Sequence, residues 1–147
     1  MIKKVYSFPT VFAVAVALFL IFYPQMGKSE SPRTITLPSG EVVCDLRGEW
    51  NALYEHYGTC MRYGRIKNIL EIKQEGDKIR AIYLSGEGAL RKGEESIRGE
   101  LDQKGFRTVE RYRPRTLWVG LKGEIINDCR KMVLEDEGCV KITLERK

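Results

Sequence analysis

The chain has 147 residues, with 25 lysines and arginines against 20 aspartates and glutamates, a formal net charge of +5. This length is typical of one domain. Lys3, Lys4 and Lys28 lie in the first 29 residues, which contain no acid, so the rest of the chain has 22 cations against 20 acids. Nucleic-acid-binding domains usually keep a strongly basic face, and we therefore expect no nucleic-acid partner.

The N-terminal segment has the pattern of an export signal. Two lysines stand among the first four residues, and Val11–Tyr23 is an uninterrupted apolar run. A signal peptide needs an apolar region of about 7–15 residues, whereas a membrane-spanning helix needs about 20. Residues 1–29 are therefore predicted to be a signal peptide cleaved after Ser29, or a retained hydrophobic helix in which residues 5–23 anchor the protein to the inner membrane. Both predictions place the rest of the chain in the periplasm or outside the cell.

Four cysteines follow this segment: Cys44, Cys60, Cys129 and Cys139. An even number in an oxidising compartment predicts disulfides, with three connectivities open from sequence alone, and free thiols are the alternative. A structural metal site would require closely spaced cysteines or several histidines, and the chain's one histidine is His56. No metal site and no cofactor are expected.

The rest of the chain is predicted to form short strands. Residues 30–45 are predicted to be a linker, because Pro32, Pro38 and Gly40 prevent any long regular element. From residue 46 onward, strand-like runs alternate with turn signals about every ten residues. The predicted strands are Glu49–Tyr57, Arg65–Gln74, Lys78–Ser85, Ile97–Leu101, Phe106–Arg113, Thr116–Ile126, Met132–Leu134 and Val140–Leu144. Gly120 and Gly123 mark a bulge or sharp bend in the sixth strand.

This pattern predicts an all-β domain over residues 46–147, an eight-stranded antiparallel up-and-down β-barrel. Antiparallel strands with one polar face need closure or a second sheet to protect their edges. Eight strands enclose an interior that side chains fill or that holds one small ligand. A two-sheet sandwich is the alternative, and the absence of a long crossover connection favours the barrel.

Three residues give the chain a resemblance to the lipocalin-like (calycin) barrels. Gly48 and Trp50 open the first strand, and Arg146 ends the last. The resemblance implies that the tryptophan closes the floor of the barrel and that the arginine packs over it. It also implies carriage of a small ligand in the interior. The domain is short for this superfamily, and no helix is predicted after the last strand.

The up-and-down topology also predicts which cysteines pair. Cys44 precedes the first strand and Cys129 lies in the turn after the sixth, so both are at the floor. Cys60 follows the first strand and Cys139 begins the eighth, so both are at the opposite end, the rim. Because a disulfide requires Cα atoms within about 7 Å, the predicted bridges are Cys44–Cys129 and Cys60–Cys139.

A polar cluster is the candidate ligand-binding site. Tyr54 and His56 share a strand face with Trp50, by the two-residue period of β-strands. Glu110 and Tyr112 share a face of the fifth strand, and if that face is inward, these four polar residues meet in the cavity. The alternative is an internal hydrogen-bond network without a ligand, because buried polar groups are normally paired.

We expect an exported, non-enzymatic barrel that binds a small apolar or amphipathic ligand in its interior. The expected cavity lining comprises Ala52, Tyr54, Ile66, Leu70 and Val119. The alternative is a cell-envelope protein-interaction or structural module with a filled core. An enzyme would depend on His56 alone, and no catalytic residue is predicted. The basic stretch Arg111–Arg115 is expected to be a solvated face or a contact with anionic lipid or another envelope polymer.

Overall fold

The structure is a computed structural model, and it describes residues 33–85, 92–113 and 117–147. The predicted signal peptide or anchor, residues 1–29, lies outside these ranges. Within them, no helix is long and apolar enough to cross a membrane.

The described chain forms eleven β-strands and one short 3₁₀ helix, Gly58–Tyr63. The strands are β1 (Thr34–Thr36), β2 (Val42–Cys44), β3 (Gly48–His56), β4 (Arg65–Glu75), β5 (Lys78–Tyr83), β6 (Glu95–Asp102), β7 (Gly105–Tyr112), β8 (Trp118–Gly120), β9 (Lys122–Ile126), β10 (Lys131–Asp136) and β11 (Val140–Arg146). Strands β1 and β2 form a separate hairpin. The other nine form one antiparallel sheet in the order β8-β7-β6-β5-β4-β3-β11-β10-β9.

The two ends of this sheet are joined by consecutive chain, so the sheet curves into a nearly closed barrel. Strand β8 pairs with β7, and β9 pairs with β10. Between them, the Leu121 amide donates a 2.8 Å hydrogen bond to the Val109 carbonyl of β7. The all-β antiparallel barrel is confirmed, and the alternative of two stacked sheets is wrong.

The barrel has nine strands in its sheet where eight were predicted, because the predicted strand Thr116–Ile126 is interrupted at Leu121. At Gly123 a Cβ atom would lie 2.8 Å from side-chain atoms of Phe106 and Val109. Only glycine permits this close crossing, so the chain can leave β7 and join β10. The bend is in the region that Gly120 and Gly123 indicated.

The barrel interior is packed with apolar side chains that alternate with exposed residues along each strand. Strand β5 turns Ile79, Ala81 and Tyr83 inward and leaves Lys78 and Arg80 exposed. The largest interior side chains are at most 2% exposed: Trp50, Leu70, Ile79, Ile97, Leu101, Met132, Leu134, Val140, Ile142 and Leu144.

Part of the predicted linker, residues 30–45, is folded onto this core. Strands β1 and β2 pair from Thr34–Cys44 to Thr36–Val42. Val43 is buried in the barrel's apolar cluster. Gln74 of β4 fixes the exit of the hairpin, because its amide nitrogen donates to the Cys44 carbonyl at 2.9 Å. The prolines and Gly40 exclude a long element, but they allow this short one.

The floor of the barrel has the arrangement that the resemblance implied. The Trp50 indole donates a 2.8 Å hydrogen bond to the Leu46 carbonyl. The Arg146 guanidinium lies 4.7 Å from the centre of the Trp50 ring and donates to the carbonyls of Arg47 and Asp45. Gly48 has a φ of +121°, and a Cβ there would face Arg146 at 3.7 Å. One cation therefore ties the end of the last strand to the start of the first.

Both predicted disulfides are present, one at each end of the barrel. Cys44–Cys129 has a Cα separation of 5.6 Å, and Cys60–Cys139 has one of 4.7 Å. No cysteine is free. Two disulfides and no thiol are typical of proteins in an oxidising environment.

We expect each disulfide to stabilise the fold by about 2–4 kcal/mol, because each closes a long loop in the unfolded chain. The paired cysteines are 85 and 79 residues apart, so the two contributions should be similar. The variants Cys44→Ala/Cys129→Ala and Cys60→Ala/Cys139→Ala should therefore lose comparable free energy of unfolding in urea titrations. Thiols titratable in the native wild-type protein would contradict the pairing.

Asp45, at the floor, makes stability depend on pH. Its carboxylate accepts hydrogen bonds of 2.9 Å from Nε and Nη2 of Arg47, with Arg33 at 3.5 Å, and its side chain is 8% exposed. The hydrogen bond from Arg47 is the main cause that lowers the Asp45 pKa from 3.8 to about 2, against the opposing effect of burial.

A carboxylate whose folded pKa is lowered stabilises the fold above its unfolded pKa, and this contribution is lost as the pH falls through the folded pKa. Asp45 should thus contribute about 2 kcal/mol above pH 5 that disappears towards pH 2. In urea unfolding at pH 7, 4 and 2, Asp45→Asn should flatten this part of the pH dependence. Asp128→Asn, in an exposed turn, is the control that should leave it unchanged. An equal pH dependence in wild type and Asp45→Asn would refute the assignment.

Candidate functional site

The rim half of the barrel interior contains a polar triangle of hydroxyl groups. The Tyr54 and Tyr83 phenol oxygens are 3.1 Å apart, and the Ser96 hydroxyl lies 3.0 Å from the first and 2.8 Å from the second. All three residues are buried. Burial raises the pKa of Tyr54 well above its usual value and also raises the pKa of Tyr83. The triangle is therefore neutral at physiological pH and satisfies its own hydrogen bonds.

A charged cluster lies at the rim above β7 and β10. Arg111 and Arg113 both donate to the Asp136 carboxylate, with a 2.9 Å contact from Arg111. Arg111 also contacts the Cys139 sulfur at 3.3 Å. The Asp136 side chain is 8% exposed and that of Arg111 11%. Two cations on one buried carboxylate form a compact network that joins the rim disulfide to β7.

Asn68 is a buried polar residue of this interior whose hydrogen bonds are not satisfied. It is 4% exposed, and neither its amide nitrogen nor its amide oxygen has a hydrogen-bond partner in the structure. The strand register places Asn68 directly opposite Ala52, one position along the same face from Tyr54. A buried amide without a partner costs about 1–3 kcal/mol, so Asn68 is the least satisfied group of the barrel interior.

The four predicted site residues do not meet. Tyr54 lies in the interior, and the ring of His56 stacks 6.5 Å from it at the rim, with Nδ1 donating to the Gly64 carbonyl at 2.8 Å. Glu110 lies on the outer surface, 2.8 Å from Arg98. Tyr112 is 42% exposed. The face of β7 that carries Glu110 and Tyr112 points outward, so the predicted interior cluster does not form.

A β-bulge explains this error. Leu101 of β6 is opposite Phe106 of β7, and Glu100 is opposite Thr108. No residue of β6 is opposite Arg107, so Arg107 is the extra residue of the bulge. The extra residue reverses the inside-outside alternation. Phe106 packs against the core, yet Val109 and Arg111, not Thr108 and Glu110, are inward further along. No turn signal in the sequence marks the bulge.

Most of the expected cavity lining is packed core. Ala52, Tyr54 and Leu70 are at most 4% exposed, and Ile66 packs against the same cluster. Within the described ranges, no group of three or more His, Cys, Asp or Glu side chains is arranged to hold a metal ion. The polar interior groups that the sequence did not indicate are Tyr83, Ser96, Asn68 and Asp136.

A second candidate site lies on the outer face of β4–β7. There the surface forms a groove of about 320 Å³. Its lining includes Lys73, Arg80, Arg98 and the predicted site residue Glu110. The ring of Trp118 extends this face, because the Arg98 guanidinium lies 4.0 Å from its centre. Tyr112 contacts Trp118 with ring centres 5.7 Å apart. Two of the predicted site residues therefore belong to the outer surface.

Asn68→Leu should raise the free energy of unfolding by about 1–2 kcal/mol, because it replaces an unpaired buried amide by an apolar group of similar shape. Asn51→Leu, on the exposed face of the neighbouring strand, is the matched control and should change stability by about 0.5 kcal/mol or less. Urea titration measures both. A loss of stability in Asn68→Leu alone would mean that a bound molecule satisfies the amide in solution.

No family model, no curated protein and no solved structure matches the chain. The antiparallel barrel and its floor of Gly48, Trp50 and Arg146 are compatible with a lipocalin-like barrel.

Proposed function

We propose that this protein is an exported, non-enzymatic module of the cell envelope, with a lipocalin-like barrel whose core is filled and whose outer surface makes the functional contacts. The packed interior carries this proposal. Trp50, Leu134 and Leu144 are each at most 1% exposed, and the other large interior side chains are similarly covered. Ligand sites are typically clefts of about 300–1,000 Å³, and a groove of that size lies on the outer face.

Export is supported by the two disulfides and by the N-terminal pattern. The bridges join residues far apart in sequence at both ends of the barrel, and such cross-links persist in oxidising compartments. We assign the barrel to the periplasm or the extracellular space. Residues 5–23 would hold it at the inner membrane if they are not cleaved.

The engagement of the rim residues supports a role without catalysis. Arg111 and Arg113 are both bound to Asp136. The hydroxyl groups of the interior triangle bond to one another, and burial keeps both phenols protonated. A catalytic base needs a free lone pair within hydrogen-bond reach of the proton that it removes from the substrate. These rim and interior groups are instead bound to one another.

A second candidate function is carriage of a small ligand in the interior, and Asn68 is the observation that favours it. Its amide nitrogen and oxygen are buried without partners beside the Tyr54 position. A guest molecule with a donor and an acceptor would satisfy both atoms. Such a guest would be small and polar at the Asn68 end, with any apolar part against Ala52 and Leu70.

Native mass spectrometry of the protein purified from its own envelope separates the two functions. The filled core predicts the mass of the polypeptide with two disulfides and no stoichiometric small molecule. It also predicts that benzene does not bind. Leu134→Ala is the positive control, because an engineered apolar cavity of this kind stays dry and binds benzene. A co-purifying small molecule in stoichiometric amount would overturn the filled core and support carriage.

A further inference from the structure

The two disulfides differ in what surrounds their sulfur atoms. Each joins a buried cysteine, Cys139 at the rim or Cys129 at the floor, to a partly exposed one. The partly exposed members are Cys60 and Cys44. At the rim, Nη2 of Arg111 donates to the Cys139 sulfur at 3.3 Å. At the floor, no side chain within the ranges that the structure describes donates to either sulfur. The two bridges are thus similarly buried and differ in a cation contact.

Arg111 is held against the rim bridge by the buried acid Asp136. The same Nη2 atom donates to the Asp136 carboxylate at 2.9 Å, and Nε donates to it at 3.1 Å. Arg113 donates to this carboxylate as well. The Arg111 side chain is 11% exposed and that of Asp136 8%, so solvent ions screen these charges weakly. The guanidinium is therefore fixed beside the sulfur before any reaction, and Arg113 stays on Asp136 whichever anion Arg111 contacts.

A fixed cation beside a disulfide sulfur stabilises the thiolate that forms when the bridge is cleaved. Disulfides are cleaved by attack of a thiolate on one sulfur, and the other sulfur leaves with the electron pair. A sulfur leaves faster when its thiolate is stabilised, and a neighbouring arginine has this effect. Cys139 is therefore the favoured leaving group. Cys60 is the member that solvent reaches, because it lies in the 3₁₀ helix Gly58–Tyr63, which contains no buried residue.

We propose that the Cys60–Cys139 bridge is a thiol–disulfide exchange site that reacts with an external dithiol, whereas the floor bridge is structural. One thiolate of the dithiol attacks the Cys60 sulfur and forms a mixed disulfide. The Cys60–Cys139 bond breaks, and its electron pair stays on the Cys139 sulfur beside Arg111. The second thiol of the dithiol loses its proton to water, attacks the dithiol's own sulfur in the mixed disulfide and releases Cys60, which takes up a proton. The bridge is thereby reduced by two electrons, and the dithiol is oxidised to an internal disulfide.

The backbone around the rim bridge supports exchange without unfolding. The Tyr57 amide donates to the Cys139 carbonyl at 2.8 Å, and the Thr59 amide donates to the Gly138 carbonyl at 3.0 Å. These bonds, and the pairing of β3 with β11, do not depend on the sulfur–sulfur bond. The exchange is stoichiometric and needs no catalytic base, so it goes beyond the proposed non-enzymatic function without conflicting with it. It is also independent of whether the interior is filled.

The test is reduction of the folded full-length protein by dithiothreitol, with quenching by N-ethylmaleimide and peptide mapping at successive times. The rim bridge should be reduced at least about tenfold faster than the floor bridge in the same molecules, because a stabilised thiolate leaves faster. Equal rates, or faster reduction of the floor bridge, would overturn the proposal. With limiting glutathione, the mixed disulfide should map to Cys60, and glutathione on Cys139 would contradict the direction of attack.

Charge variants test the role of Arg111. The readout is the ratio of the rim rate to the floor rate, because the floor bridge reports any unfolding of the whole barrel. Arg111→Gln should lower this ratio about tenfold, and Arg111→Lys, which keeps the charge, should restore much of it. Arg113→Gln is the matched control, since it also removes a cation from Asp136 but leaves the contact of Arg111 with Cys139 in place. It should change the ratio less than about twofold. An unchanged ratio in Arg111→Gln, or an equal decrease in Arg113→Gln, would refute the site.

Discussion

The structure depends on the closure of one sheet by a single stretch of chain. Residues 118–126 pair first with β7 and then with β10, which are at opposite ends of the strand order. Because of this crossing, the outermost strands do not present long free edges, which would otherwise invite pairing with other chains. Closure also defines an inside. The packed core and the exposed outer groove both follow from that division.

The interior and the outer face of the barrel differ in how their polar groups are paired. In the interior, polar groups are matched: two tyrosines and a serine share their hydrogen bonds, and two arginines share one carboxylate. On the outer face, Lys73, Arg80 and Arg98 lie opposite one another on adjacent strands, and Glu75, Glu100 and Glu110 line the same groove. An exposed site can tolerate such repulsion, because water screens the charges. Among the described residues, the buried side-chain polar atoms without a hydrogen-bond partner are the amide atoms of Asn68 and the Nε of Arg146.

The sequence contained enough information for the fold and the cross-links. Alternation of apolar residues, frequent turns and the Gly48–Trp50 and Arg146 pattern indicated a closed antiparallel barrel. Once the barrel was assumed, its two ends determined which cysteines could meet. The candidate site was harder to predict, because a single extra residue inverts the face of a strand. The bulge at Arg107 placed Glu110 and Tyr112 outside. A second irregularity between Ala81 and Ile82 allows both Ser96 and Ile97 to be buried. Such bulges result from tertiary pairing and leave no local signal.

The position of the floor disulfide determines how the barrel would respond to a mechanical force. Cys44 lies at the end of the β1–β2 hairpin, before β3, and its partner Cys129 lies in the turn before β10. Tension applied from the N-terminal side would reach this covalent bridge before it reached the strands of the barrel. The force would then divide between β3 and β10, which both pair with β11. A domain pulled from its N-terminal side would thus peel its hairpin first, while the barrel and its outer groove remained intact.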